Sequence, residues 1–355
     1  MKVYTINSSY NGCCYLRIML PTFHNGFLSN KQSLKGNTES PQQMQANLMD
    51  ADVVVFHRPE TKEYLKLIDV LKADGKKVVI DNDDTFILDD VHPLANFTAD
   101  AQTIDVEARS KSMDEALSKA DLVTASTDFL AEEYKKLNDN VLTLPNCVDE
   151  MEWDEPLRNE GDKVRIGLVG SVSFQYDYHH VRNVIRELGD RNDVELVLFG
   201  LGDAAHRKKN PTVTRAFQPE YDFWDSVQKE QIPWCPIYDY HETLRQAKLD
   251  LLMIPRKENY FNKCKSNVKF LEAAMCEVPV VAQSFEDGPY EKITEDMGIL
   301  IKDDKDWIRE LDRLIKNKDL RRSMGKKARE HVINNYNIED HAHKWADAYM
   351  KLCEK

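Results

Sequence analysis

Short apolar runs alternate with amphipathic stretches of helical period along nearly the whole chain, and this alternation leaves few architectures open. A run such as Val53-Val54-Val55-Phe56 has no polar face, so both sides of the strand must be covered, as in a parallel sheet with helices on either side. The class is therefore α/β. In the first half, strands are expected at Lys2–Ile6, Asp52–Phe56, Lys77–Ile80, Leu122–Ala125 and Val141–Leu144. Helices are expected at Thr61–Asp74, Ile104–Lys119 and Asp128–Leu137.

The alternation breaks once. Pro145-Asn146-Cys147-Val148-Asp149 and the polar stretch 150–163 interrupt it before the apolar run Val164–Val169 restarts it. Strands at Val194–Phe199, Leu249–Ile254, Pro279–Ala282 and Ile299–Ile301 follow, with helices at Tyr178–Leu188, Tyr240–Gln246 and Ser266–Cys276. A chain of 355 residues exceeds one ordinary core and suits two domains of about 150 to 180 residues each. We read residues 1–150 and 151–335 as two Rossmann-like domains facing a central cleft, and 336–355 as a terminal helix. Trp307, Leu311 and Leu314 form one helical stripe near the end; Trp345, Tyr349 and Leu352 form another, suited to packing back on the first domain.

Composition narrows the function. The opening MKVYTINSSYNG lacks the apolar core and cleavage site of a signal peptide, and no run of about eighteen apolar residues appears. A cytoplasmic protein without a transmembrane segment is expected. Seven scattered cysteines suggest neither a disulfide framework nor a zinc site, so they read as reduced thiols. A net charge of −13 argues against general nucleic-acid binding. One local basic segment, His206-Arg207-Lys208-Lys209 with Arg215, reads either as a solvated loop or as a contact to a phosphate-bearing acceptor.

The stretch from Phe261 to Ala282 reads as loop, helix and buried strand. Ser266 is a candidate N-cap, which aims the free N–H groups and positive end of the helix at the strand ends. Lys265 and Lys269 add positive charge, and Ser266, Lys269 and Glu272 fall on one helix face at i, i+3 spacing. That combination suits a diphosphate, with Glu272 positioned to accept from vicinal ribose hydroxyls; the plainer alternative is a capped helix with a surface Lys/Glu pair. In the first half, His57 and Arg58 follow an apolar strand, and Arg17 lies among apolar neighbours and wants an anionic partner. Asp81-Asn82-Asp83-Asp84 gathers three carboxylates, which suits a hard cation or, as we prefer, acceptor binding through Asp83 and Asp84, or a helix cap.

The run Lys-Ser-Asn-Val-Lys-Phe-Leu-Glu-Ala-Ala-Met-Cys-Glu-Val-Pro-Val-Val-Ala, from Lys265 to Ala282, resembles the donor-binding signature of group 1 (family 4-like) glycosyltransferases. Weaker pieces resemble that family in the same order: Tyr15-Leu16-Arg17-Ile18 with Pro21, Asp52–Pro59, Asp121–Ser126, Leu144-Pro145-Asn146 and Gly167–Ser171. The resemblance implies the two-domain GT-B fold and transfer of a sugar from a UDP- or GDP-sugar without a bound metal, since GT-B enzymes generally neutralise the leaving group with the protein's own cations and helix end. It implies that Glu272 binds the ribose, that Ser266 and Asn267 meet the diphosphate, and that Lys265 or Lys269 neutralises it. Gly170 and Ser171 would admit close backbone approach, the base would lie against the loop Pro236-Ile237-Tyr238-Asp239, and His57 would face the donor sugar. Two departures stand out. Cys264 occupies the place of the first of two glutamates common in the family, and the usual Arg and Lys are missing from Ser173–Asp177, so that Lys265 and Arg256 are candidates to replace them.

The resemblance further implies a retaining reaction in which the leaving diphosphate helps deprotonate the acceptor, so that catalysis rests on charge stabilisation and positioning. The acceptor is a cell-envelope glycan or lipid, which we prefer, or a hydroxymethylated base in bacteriophage DNA, with Arg17, Arg58, Asp83 and Asp84 as candidate contacts. Rival readings are a GT-B-fold nucleotide-sugar epimerase, a non-catalytic binding protein, and a nicotinamide enzyme suggested by Gly200-Leu201-Gly202-Asp203-Ala204-Ala205.

Overall fold

The computed structural model describes residues 1–7, 10–30, 32–33, 36–37, 39–85, 87, 106–170, 172–201, 204–209 and 211–354. Two parallel sheets organise them. The first is built from β1 (Val3–Ile6), β2 (Leu28–Ser29), β3 (Val53–His57), β4 (Lys77–Asn82), β5 (Leu122–Ala125) and β6 (Val141–Thr143), in the spatial order β2-β1-β3-β4-β5-β6. The second is built from β7 (Val164–Val169), β8 (Val194–Phe199), β9 (Glu230–Ile232), β10 (Leu251–Ile254), β11 (Val280–Gln283) and β12 (Gly298–Ile301), in the order β9-β8-β7-β10-β11-β12.

Both orders reverse once, between β1 and β3 and between β7 and β10. Strands on either side of a reversal send their following loops in opposite directions, which opens a crevice at their carboxyl ends. Those ends carry His57 and Arg58 in the first domain, and Gly170 and Arg256 in the second. Val53, Val54 and Val55 are fully buried, as their unbroken apolar run requires.

The chain crosses between domains twice, side by side. Val148 donates its N–H to the Tyr336 carbonyl at 2.9 Å, and Ile338 donates to the Val148 carbonyl at 2.8 Å. Beyond this crossing, Ile338, Ala342, Trp345, Tyr349 and Leu352 share a buried cluster with Val3, Val53 and Val55 of the first sheet. Among the described residues, no helix is long and apolar enough to cross a membrane.

Several local expectations need correction. Edge strands β2 and β9 are two and three residues long, too short for any periodicity to show. The proposed loop at Pro236 is the start of a helix, Ile237–Gln246, with Pro236 at its N-cap. The helix expected from Ser266 begins at Val268 with Asn267 as N-cap, because the Ser266 hydroxyl is taken by the Asn146 side-chain amide of the linker at 2.8 Å. The helix expected over Tyr178–Leu188 is a tighter 3-10 coil, Val172–Val181, followed by an α-helix, Arg182–Gly189.

Candidate functional site

The two crevices face each other across a cleft of about 400 Å³. Its second-domain wall begins at the switch point. Gly200 has φ of 97°, and a Cβ there would stand 2.8 Å from the Gly170 carbonyl oxygen, so these two turns pack backbone on backbone. Ser171 lies outside the described residues.

The helix Val268–Met275 starts in the cleft and carries Lys269 and Glu272 one turn apart. Glu272 Oε2 accepts from the Tyr240 hydroxyl at 2.8 Å and from Lys269 Nζ at 3.0 Å, and Lys269 also reaches the Tyr240 hydroxyl at 3.2 Å. Tyr240 is itself fixed by stacking on Phe199, with centroids 5.5 Å apart. Both hydrogen bonds end on a single carboxylate oxygen, so Glu272 is aimed while it faces the cleft. The i, i+3 spacing foreshadowed the Lys269–Glu272 pair; nothing in the sequence marked Tyr240 or Phe199.

The opposite wall belongs to the first domain. Arg58 has φ of 49°, which its side chain disfavours, and its guanidinium bridges Asp83 at 3.1 Å and Asp84 at 2.9 Å. Asp84 then pairs with Lys265, so the series Arg58, Asp84, Lys265 spans the cleft from one domain to the other. Lys265 also lies 3.9 Å from the centroid of Phe261.

Behind this series is a buried charge pair. His57 Nε2 stands 3.5 Å from Asp83 Oδ1, and the His57 side chain has no exposed surface. Burial opposes ionisation of Asp83, but Arg58 and then His57 outweigh it and hold the carboxyl well below its usual range. Burial likewise opposes charge on His57, yet Asp83 prevails and lifts its pKa to about 9. A pKa raised by folding gives stability that is complete below the unfolded value, near 6.5, and is lost as pH climbs to about 9. His57→Gln should therefore flatten the fall in unfolding free energy over that window, by on the order of 3 kcal/mol. Urea unfolding of both proteins at both ends of the window checks this, and equal slopes would contradict it.

Several sequence expectations are corrected by this geometry. His57 supports Asp83 from beneath instead of facing a donor sugar. Arg17 is fully buried: it holds Asp81 at 2.9 and 2.7 Å, the Leu144 carbonyl and Asn146, so it braces the linker and cannot meet an acceptor. The carboxylates of residues 81–84 diverge, Asp81 to Arg17, Asp83 to His57 and Arg58, Asp84 to Arg58 and Lys265, and so form no shared cation site. Arg256 lines the cleft, but its Nη1 is committed to Asp177 at 2.8 Å and its guanidinium lies 4.1 Å from the Phe174 centroid, so it is a poor substitute for a phosphate-binding cation. Ile237 lines the cleft while Tyr238 lines a neighbouring cavity, and Asn267 stands at the helix N-cap without a side-chain capping bond and does not line the cleft. Cys264 is buried among first-domain core residues, its thiol pushed up to about 12 by burial, so no side chain there reaches a sugar.

The sequence also missed cleft residues Asn11, Gly12 and Cys13, which follow β1 at the first-domain reversal, and Trp234 after β9. Strand-end position was the available signal, but without knowing the strand order it could not single them out. The nicotinamide motif fails on its context: the helix after it, Ala204–Lys209, has six residues, and Gly202 and Asp203 lie outside the described residues.

Residues 175–347 match the model of a family described as glycosyl transferase-like. Sucrose-phosphate synthase from Thermosynechococcus elongatus superposes with a TM-score of 0.67 at 13% identity, over 100% of both chains. HepE from Anabaena, solved in complex with UDP and glucose, gives 0.66 at 11% identity over 99% of each chain. An alpha-glucosyltransferase in complex with UDP-glucose and DNA containing an abasic site gives 0.62 at 12% identity, over 97% of this chain and 98% of that one. No curated protein matches the sequence. Two Rossmann-like domains around a cleft, with that family match in the second, define a GT-B glycosyltransferase, and this chain is one. The matched stretch contains Lys265 to Ala282, the run that resembles the donor-binding signature of the group 1 enzymes.

Proposed function

We propose that the enzyme transfers a hexose from a UDP-sugar to a hydroxyl of a neutral glycan, with retention of anomeric configuration and without a bound metal. The observation that carries the donor assignment is the Lys269, Glu272 and Tyr240 array at the start of the helix Val268–Met275, opposite the Gly170 turn. Carboxylate and ammonium at that spacing suit a ribose and its diphosphate together, and Trp234 and Ile237 offer apolar surface to the base. UDP is favoured because HepE and the alpha-glucosyltransferase were both solved with it.

Retention is supported by the state of Asp83. A general base works best with a pKa near the operating pH, and Arg58 and His57 hold Asp83 far below it. The proton of the acceptor hydroxyl then passes to the departing diphosphate, whose charge Lys265, Lys269 and the helix start stabilise. A glycan is favoured over DNA by the net charge of −13 and by Arg207, which is turned onto its own domain against Asp225 at 2.7 Å and the Tyr221 ring at 4.4 Å. Cysteines that are all unpaired fit a reducing compartment, the cytoplasm.

The test is transfer from a panel of UDP- and GDP-sugars to neutral oligosaccharides, with the product anomer read by proton NMR. An α-linked product from an α-linked UDP-sugar is expected. A β-linked product would overturn retention, use of GDP-sugars alone would overturn the nucleotide, and modification of hydroxymethylated DNA alone would overturn the acceptor.

One consequence concerns Asp84. A diphosphate competes with this carboxylate for the Lys265 ammonium, so Asp84→Asn should tighten UDP about five-fold, roughly the 1 kcal/mol of a partly exposed ion pair. Calorimetric titration checks it, with Lys265→Met as background; looser binding in the single variant would contradict the competition.

A further inference from the structure

A second cavity, of about 420 Å³, lies beside the donor cleft and meets it at Tyr10 and Ile237. That volume is within the usual range for small-molecule sites, about 300 to 1,000 Å³. Its walls come from three sources: the first-domain helical segment carrying Tyr15 and Met19, the linker carrying Glu152 and Trp153, and the outer face of the helix Ile237–Gln246. None of the reaction chemistry described above uses it.

Aromatic faces dominate one side. Trp153 and His241 lie 4.4 Å apart between ring centroids at an angle of 37°, and Tyr15 meets His241 edge-on at 5.8 Å. Tyr238 stands at the rim with 60% of its surface exposed, so its ring is open to a ligand in the cavity. The polar side is internally paired. Arg245 grips the Glu242 carboxylate through Nε at 2.7 Å and Nη2 at 3.0 Å, and its Nη1 donates to the Glu155 carbonyl at 3.1 Å. Glu152 accepts from the Tyr15 hydroxyl and lies 3.6 Å from His241 Nδ1.

Carboxylates beside a guanidinium match adjacent hydroxyls, which both donate and accept, and the exposed ring of Tyr238 can cover the C–H face of a pyranose ring. A phosphodiester is disfavoured by Glu152, Asp154 and Glu242, which outnumber Arg245. An alkyl chain would desolvate these charges without offering them a hydrogen bond. We infer that this cavity is a second carbohydrate-binding site that takes a neutral saccharide unit. It rests on the proposed function for its purpose only: the saccharide is part of the acceptor, anchored at a unit away from the hydroxyl that is glycosylated.

Saturation-transfer NMR on the full chain with UDP present tests it, using neutral trisaccharides of glucose, galactose, mannose and N-acetylglucosamine, and a single-stranded DNA oligonucleotide as competitor. A trisaccharide should show transfer that falls at least five-fold in Tyr238→Ala and in Glu242→Gln, is restored in Tyr238→Phe, and survives addition of the DNA. Glu242→Gln should bind UDP as the wild type does, which also reports that it folds. Absence of transfer from every trisaccharide, transfer unchanged in both variants, or displacement by the DNA would overturn the site. UDP binding that depends on Glu272 is read in the same samples, so failure here leaves the donor assignment standing or falling on its own.

Discussion

Lys265→Met should lower kcat by about a hundred-fold, the scale of removing one well-placed charge from a developing anion, with little change in the KM for acceptor. The methionine keeps the stem over Phe261 and removes only the ammonium. In the proposed reaction the charge acts on the leaving diphosphate, whose negative charge grows as the glycosidic bond breaks, so the loss falls on kcat more than on ground-state binding. Initial rates at saturating donor measure it. A kcat within five-fold of wild type would mean that Lys265 serves only to pair with Asp84 across the domains.

Glu272→Ala should weaken nucleotide binding about a hundred-fold, because in the proposed site it accepts two hydrogen bonds from ribose hydroxyls, and such bonds to a charged group contribute roughly 3 kcal/mol together. The substitution also leaves the Tyr240 hydroxyl and the Lys269 ammonium without their shared acceptor, so a purely structural loss must be separated. Comparing UDP with its 2′-deoxy analogue does so. The wild type should prefer the ribonucleotide and the variant should not; a variant that still discriminates would place the ribose elsewhere.

The parts of this molecule legible in sequence were those fixed by local pattern. β3 announced itself because a strand buried on both faces needs an unbroken apolar run, and Lys269 and Glu272 were paired by helix geometry alone. What failed depended on partners far along the chain. Ser266 has the chemistry of an N-cap, but Asn146, 120 residues earlier, engages its hydroxyl and the helix starts later. His57 and Arg58 sit where ligands bind in such folds, yet strand-end position does not tell depth: His57 points down to Asp83 while Arg58, turned by its positive φ, reaches both carboxylates. Arg17 was rightly expected to seek an anion, but that anion is Asp81 within its own domain. The aromatic supports Tyr240 and Phe199 come from different strand-and-helix units and meet only once the second sheet has formed.

The central claim is that the helix Val268–Met275 and the facing cations bind and activate a nucleoside-diphosphate sugar. Its most direct test is release of free nucleoside diphosphate from purified enzyme incubated with each of a panel of nucleotide sugars, beside the Lys265→Met and Glu272→Ala variants. The account predicts release from at least one sugar nucleotide by the wild type, slowed in the first variant and requiring far more donor in the second. Release unaffected by either substitution, or none from any donor together with no binding of the nucleotides, would contradict it.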